Sequence, residues 1–350
     1  MNIYHLSHID LDGYGCQYLV NRCFNEQLNY KVNFYNANYG PEIKARLEEI
    51  ISEIKREKFL GKEKEHTILI TDLNLTTKEA NWLEEEATEV GAKIQLLDHH
   101  ISGEKTAQKY IWYMLDISSS ATLMTYKWLK RHYSFDEKGE YTQIVKAINA
   151  IDIWLSHDEL FEFGKVGLGM ISGAKEINRT LFPNEDRALK LSLIDAMKEH
   201  LGKKNAHIIL DNNLHQIKKN FFKQKEADNT KDNLVALYVT KLLSQEKQRL
   251  TIDYRGHKGL LGYSLGNTSI LGNTFLVENP EYDFYMDLNN RGNFSLRSNN
   301  KLDVAKMAEE IGNGGGHPNA SGGKIKEYKD SFIYSEIKKF VQDYIDEKTA

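Results

Sequence analysis

The stretch Ile94-Gln95-Leu96-Leu97-Asp98-His99-His100 decides how this chain folds. Its first four residues read as a strand, and the last three are titratable or metal-capable. Ionisable groups at the end of a buried strand cost on the order of several kcal/mol unless paired or metal-bound. Packing does not explain three in a row. Two further runs repeat the pattern. Ile3-Tyr4-His5-Leu6 leads into His8-Ile9-Asp10-Leu11-Asp12-Gly13, and Ile68-Leu69-Ile70 leads into Asp72. Ligand sites of open parallel sheets lie outside the carboxyl ends of the strands, so the three clusters can converge on one crevice. Their mixture of carboxylate and imidazole is what hard-to-borderline divalent cations favour.

Outward from these runs, strand and helix signals alternate. Val32–Tyr35 reads as another strand, with helices at Tyr14–Leu28, Pro41–Lys55, Lys78–Val90, Ser119–His132 and Tyr141–His157. This βαβ alternation predicts an α/β fold with a doubly wound parallel sheet. Asp186–Lys225 is polar, lysine-rich and without strand signal, and reads as a helical connector. Beyond it, Leu234–Tyr238, Gly259–Tyr263, Asp283–Leu288 and Phe294–Arg297 read as strands, and Val304–Ile311 as a helix before a glycine cluster. A smaller α+β domain is expected there. The expected partition is 1–185, a connector at 186–230, and 231–350, as a chain of 350 residues exceeds one ordinary core.

Composition narrows the function classes. The net charge is −4 with no concentrated basic arm, which argues against gripping long nucleic acid. Lys203, Lys204, Lys218 and Lys219 are interleaved with Asp211 and Glu226, as on a solvated helix face. The expected substrates are therefore short. No apolar run is long enough to span a bilayer, and Cys16 and Cys23 are too few for a disulfide framework. The expectation is a cytoplasmic protein with no membrane partner; the sequence leaves the oligomeric state open.

His8-x-Asp10-x-Asp12-Gly13 puts three donors within five residues. On an extended strand end Asp10 and Asp12 would point to the same side, and Gly13 would admit close backbone approach. The string lacks the later ligands of a calcium loop. In the helix expected at Tyr141–His157, Asp152 falls on the apolar stripe of Val145, Ile148 and Leu155, where a charge needs a partner. Asp10, Asp12, Asp72 and Asp152 would repel one another unless compensated. Two divalent cations, about 3.5–4 Å apart in such sites, would compensate them and hold a bridging hydroxide. Asp72 is the natural bridging carboxylate. Mn²⁺ suits this ligand mixture better than Zn²⁺.

A second cluster, Gly312-Asn313-Gly314-Gly315-Gly316-His317-Pro318-Asn319-Ala320-Ser321-Gly322-Gly323, has no phosphate-loop ending and follows a helix. Its backbone amides could still face an anion, with Arg297 as a phosphate or base partner or simply a surface residue. His5 reads as a core or surface histidine and Trp82, Trp112, Trp128 and Trp154 as core, none with a role, and Ser118–Ser120 read as a helix cap.

With these residues in place, the sequence resembles the DHH family of phosphoesterases with the appended DHHA1 domain. The motifs fall in order: His8-x-Asp10-x-Asp12-Gly13, Asp72, Asp98-His99-His100 and Asp152, then Gly314-Gly315-Gly316-His317-Pro318-Asn319-Ala320. One residue separates His8 from Asp10 where many members have three, a shortening similar to the nano-RNase B-type branch. Ser321 stands where alanine is common. The resemblance implies that His8, Asp10 and Asp72 hold one ion, and Asp12, Asp72, His99 and Asp152 the other. It implies that His100, with Asp98, serves catalysis at the scissile phosphate. Gly314, Gly315, Gly316, His317 and Arg297 would hold the substrate's far end.

The function expected on this basis is a Mn²⁺-dependent phosphodiesterase degrading very short RNA to mononucleotides, with related action on 3′-phosphoadenosine 5′-phosphate. The alternative is hydrolysis of a cyclic dinucleotide such as cyclic di-AMP, or of its linear product. A catalytically silent nucleotide-binding regulator is the non-enzyme alternative, opposed by the intact ligand motifs.

Overall fold

The computed structural model describes residues 1–61 and 64–350. They form two compact units, one of residues 1–174 and 187–214, the other of 175–186 and 215–350. In the first, strands β1 (Asn2–Ser7), β2 (Lys31–Asn36), β3 (His66–Thr71), β4 (Ala92–Asp98) and β5 (Tyr113–Leu115) alternate with helices. These are α1 (Leu11–Val20), α2 (Pro41–Phe59), α3 (Thr77–Glu89), the short α4 (Glu104–Ala107) and α5 (Ala121–Tyr133). Helices α6 (Thr142–Asp152) and α7 (Phe161–Ser172) complete the run. All five strands are parallel, in the order β2-β1-β3-β4-β5. The doubly wound sheet expected from the alternation is present.

The order reverses between β1 and β3, and register makes that switch point a place for chemistry. Ser7 pairs with Thr71, and Thr71 with Leu97. The residues that follow, His8, Asp72 and Asp98, are therefore brought side by side at the carboxyl end of the sheet, Asp98 still paired with Leu115. Beneath them lie Tyr4, Leu6, Ile68, Ile70 and Leu96, fully buried against α2 and α3 residues such as Leu47, Ile50 and Leu83. Burying such side chains supplies roughly 1.5–3 kcal/mol each. The polar insertions in this layer are partly paired: His5 Nε2 lies 2.8 Å from Thr71 Oγ1 while its Nδ1 has no hydrogen-bond partner, and Ser7 Oγ donates to the Gly13 carbonyl at 2.9 Å.

Helix α1 does not run unbroken to Leu28. After Val20 it widens into a π-helical segment, Asn21–Gln27, which carries the buried Cys23. The stretch read as a connector holds α8 (Pro183–His200) and α9 (Ala206–Lys223), and the division between units falls inside both.

The second unit continues with α10 (Lys231–Gln245), α11 (Lys247–Leu250), β6 (Thr251–Tyr254), β7 (His257–Tyr263), α12 (Thr268–Glu278), β8 (Phe284–Leu288) and β9 (Asn293–Ser298). It closes with α13 (Val304–Ile311), β10 (Gly315–His317), β11 (Ala320–Lys324) and α14 (Tyr334–Thr349). The sheet runs β10-β11-β9-β8-β7-β6, antiparallel except for β7 with β8. One strand expected from sequence is corrected. Leu234–Tyr238 belongs to α10, which Thr230 caps through the Asn233 amide. Its apolar run continues at helical spacing through Val239 and Leu243, both buried, so the longer period prevails over the β-branched start. The glycine cluster is a hairpin: β10 and β11 pair antiparallel, and β11 pairs with β9.

Candidate metal centre

Strand β1 ends at Ser7, so Asp10 and Asp12 do not alternate on an extended strand end as expected. Asp10 is the N-cap of α1 and accepts a hydrogen bond from the Gly13 amide at 3.0 Å; Asp12 lies in the first turn. The chain turns this sharply because residue 13 is glycine: a Cβ there would overlap the His8 carbonyl oxygen. A cap residue and its turn bring the two carboxylates together where a strand's period would have been the simpler device.

Asp12 is buried, and both its oxygens accept backbone amides at the start of α5, Ala121 at 2.7 Å and Thr122 at 2.8 Å. Asp72, also buried, follows β3 with φ of 58°, a left-handed conformation uncommon outside glycine and asparagine-like residues. Its amide donates to the Leu97 carbonyl at 3.0 Å, which holds it there. The left-handed turn places its carboxylate between two histidines. Oδ1 lies 3.4 Å from His99 Nε2, and Oδ2 lies 3.6 Å from His8 Nδ1.

Two donor sets meet at Asp72. On one side, His8 Nδ1 lies 3.0 Å from Asp10 Oδ2, close but not aligned for a hydrogen bond. On the other, His99 Nε2 lies 3.8 Å from Asp12 Oδ2 and 3.5 Å from Asp152 Oδ2. Asp152 is the last residue of α6, and its side chain is 19% exposed. The expected stripe stops there, since Leu155 lies beyond the helix and is 42% exposed. A carboxylate at a helix C-terminus faces the negative end of the macrodipole, where a cation is favoured.

The fit to a cation is seen in the unsatisfied atoms. His8 Nδ1, Asp72 Oδ2 and Asp152 Oδ2 are buried without hydrogen-bond partners. The donors of His8, Asp10 and Asp72 lie within 4.8 Å of one another, as do those of Asp12, His99 and Asp152. Orphaned donors converging at such spacing are compatible with divalent metal binding, and buried charge of this kind is otherwise costly.

Electrostatics agree. Burial, together with Asp10 and Asp12, pushes Asp72 well above the carboxylate range. Burial, with Asp12 and Asp72, pushes Asp152 up to about 9. Burial opposes charge on His8, yet the Asp10 and Asp72 carboxylates prevail and raise it to about 10. Burial first and neighbouring carboxylates second thus hold Asp72 and Asp152 up, whereas His8 overcomes burial and draws Asp10 down to about 2.

His100 offers a nitrogen within 4.8 Å of donors of Asp72 and His99, and with Asp98 it also belongs to a chain of hydrogen bonds. His100 Nδ1 lies 2.7 Å from Asp98 Oδ1, and Tyr113 donates to Asp98 Oδ2 at 2.7 Å. His100 Nε2 lies 2.8 Å from the hydroxyl of Tyr39, whose ring packs 4.5 Å from that of His8. Sequence reasoning missed Tyr39 and Tyr113. Tyr39 lies three residues beyond the end of β2, in the loop before α2, where no titratable motif in the sequence points to it.

The remaining expected residues lie in the second unit. Arg297, on β9, donates to Ser269 Oγ at 2.5 Å, and register aligns it with Ala320, which pairs with His317. The glycines let these strands close up: a Cβ at Gly314 would overlap the Gly322 carbonyl oxygen, and Gly316 has φ of 145°. Among the described residues no helix is long and apolar enough to cross a membrane.

Known proteins share this arrangement. Residues 2–151 match the DHH family, N-terminal domain, and residues 280–347 match the DHHA1 domain. A 3′,5′-cyclic-nucleotide phosphodiesterase of Helicobacter pylori is 42% identical over 351 residues, covering 98% of either chain. The crystal structure of an uncharacterized protein from Helicobacter pylori G27 superposes with a TM-score of 0.90 at 41% identity, covering 99% of both chains. With the Asp-His-His motif at the end of β4 and the glycine-rich hairpin in the second sheet, this chain belongs to the DHH family and carries its DHHA1 domain.

Proposed function

We propose that the chain is a divalent-cation-dependent phosphodiesterase acting on the 3′,5′-phosphodiester bonds of small nucleotides, with 3′,5′-cyclic nucleotides as its first substrate class. The observation that carries the chemistry is the placement of Asp72, each oxygen facing a different histidine and donor set. The substrate class is supported by the 42% identity, over nearly the full length, to an enzyme named for cyclic nucleotides.

His8, Asp10 and Asp72 would hold one ion, and Asp12, Asp72, His99 and Asp152 a second; Mn²⁺ is the expected metal. Bound there, the ions would neutralise phosphoryl charge and activate the attacking water. The chain's own contribution is positional. Asp72 fixes the spacing of the two sets, and Asp12 is held rigid by the amides of α5. His100, oriented by Asp98, offers Nε2 to the charge that develops on the phosphate.

Short oligoribonucleotides form the second reading. It rests on Arg297 and His317, which share a register row on the second sheet with Ala320 between them and suit an additional terminal phosphate or base. A turnover panel with Mn²⁺ and 3′,5′-cyclic AMP, 3′,5′-cyclic GMP, a diribonucleotide, 3′-phosphoadenosine 5′-phosphate and cyclic di-AMP tests both. Preference for the cyclic mononucleotides supports the first reading, and preference for the dinucleotide transfers it to the second. No turnover of any member, with the metal bound, would leave the silent regulator.

A further inference from the structure

Trp154 was read from sequence as a core residue, and the structure corrects this: it is 66% exposed. Its backbone is also unusual. Trp154 has φ of 57° and ends α6 as a Schellman turn, its amide donating to the Ile151 carbonyl at 3.3 Å. The amide of Leu155 reaches back to the Ala150 carbonyl at 2.7 Å. Glycine is the usual occupant of that left-handed position, and a side chain there costs roughly 1–2 kcal/mol. A tryptophan that bears this cost and leaves most of its surface in water is not explained by packing.

What surrounds it suggests a use. Trp154 borders a cavity of about 190 Å³, whose apolar lining is Leu11, Ile148, Ile151 and Leu168. The lining also includes Asp10, Asp12 and Asp152, all from the proposed donor sets. The indole is steadied by a T-shaped contact with Phe161, ring centroids 5.2 Å apart at 83°, while most of its surface stays exposed. The cavity thus combines apolar side chains and an indole with the carboxylates proposed to hold the ions. A nucleoside phosphate likewise combines a flat base with an anionic group.

We propose that Trp154 and this cavity form the site for the nucleobase, the base stacking on the indole while its phosphate lies toward Asp12 and Asp152. This rests on the phosphodiesterase reading for its substrate class but not for its binding test. Stacking on an aromatic face accepts any base and contributes mainly to binding.

Two measurements on the full chain test it. First, AMP is titrated with magnesium present while tryptophan fluorescence is followed in wild type and Trp154→Phe. A saturable quench in wild type that is lost in the variant supports the site. No wild-type quench at millimolar AMP, or one unchanged in Trp154→Phe, overturns it.

Second, 3′,5′-cyclic AMP is compared with the same cyclic ribose phosphate carrying methoxy in place of the base. Trp154→Ala should raise KM for cyclic AMP about tenfold, as expected for one lost stack, with partial recovery in Trp154→Phe. Turnover of the base-free analogue should change less than about twofold. Equal losses on both compounds would make Trp154 a structural residue. Should the alanine variant fold poorly, Trp154→Gly, which relieves the left-handed strain, replaces it. If wild type turns over neither compound, the phosphodiesterase reading fails, and the AMP titration alone decides the base site.

Discussion

The carboxylate of Asp98 is wholly buried and lies 2.7 Å from His100 Nδ1, so the imidazole is fixed at that nitrogen while its other nitrogen meets the Tyr39 hydroxyl at 2.8 Å. Asp98→Asn would keep the shape but exchange the acceptor for an amide. Loss of such an orienting partner typically costs about 10–100-fold in activity. His100→Ala, which removes the phosphate contact itself, should cost about 10²–10³-fold in kcat. Because both act through one imidazole, the double variant should be no worse than His100→Ala alone. Metal counting on each purified variant checks the assignment. Fewer ions bound than in wild type would make His100 a ligand.

Asp72→Ala should abolish turnover at saturating Mn²⁺, since one carboxylate serves both donor sets. Retention of more than about a tenth of wild-type activity would sink the bridging role, given the dependence of such chemistry on both ions. Asp72 and Asp152 sit far above the carboxylate range without an ion, so the ion should also stabilise the fold. Chelation should lower Tm in wild type, with much less effect in Asp72→Ala. Thermal melts with and without chelator decide this.

Arg297→Ala should weaken action on dinucleotides, by roughly 1.5–3 kcal/mol for a charge-assisted hydrogen bond. Hydrolysis of a small activated ester such as bis(p-nitrophenyl) phosphate should suffer less, because it draws on little remote binding. Parallel loss of both activities would reduce Arg297 to a support for β9.

A pH test concerns the second unit. Burial pushes Asp287, on β8, up to about 7, partly offset by the Leu265 amide and the Tyr285 hydroxyl. Unfolded, it would titrate near about 4. Between these values the folded chain keeps a proton that the unfolded chain releases. Its contribution to stability is therefore complete below about pH 4 and lost as pH rises toward 7, with a slope of up to about 1.4 kcal/mol per unit. Asp287→Asn should flatten the decline. Urea midpoints across that window measure it, and an identical slope in the variant would refute the assignment.

How much of this could be read beforehand varied with the kind of signal. The β1, β3 and β4 strand ends were legible because apolar runs stopping at Asp and His contradict burial, which a single sequence displays directly. Asp152 was legible for a partly mistaken reason: its stripe does not continue to Leu155, and its placement follows from a helix end that only the fold reveals. Leu234–Tyr238 was misread because five residues fit either period. Trp154 reads wrongly as core, since tryptophan is ordinarily buried and nothing local announces a left-handed backbone.

The bonds from Ala121 and Thr122 to Asp12 join two things usually kept apart. The same carboxylate that would take an ion also anchors the first turn of α5. Occupancy should thus be audible in that helix as slower amide hydrogen exchange at residues 121 and 122. Substituting Asp12 would unfasten the helix along with the centre, so an inactive Asp12 variant speaks for cooperativity as much as for catalysis.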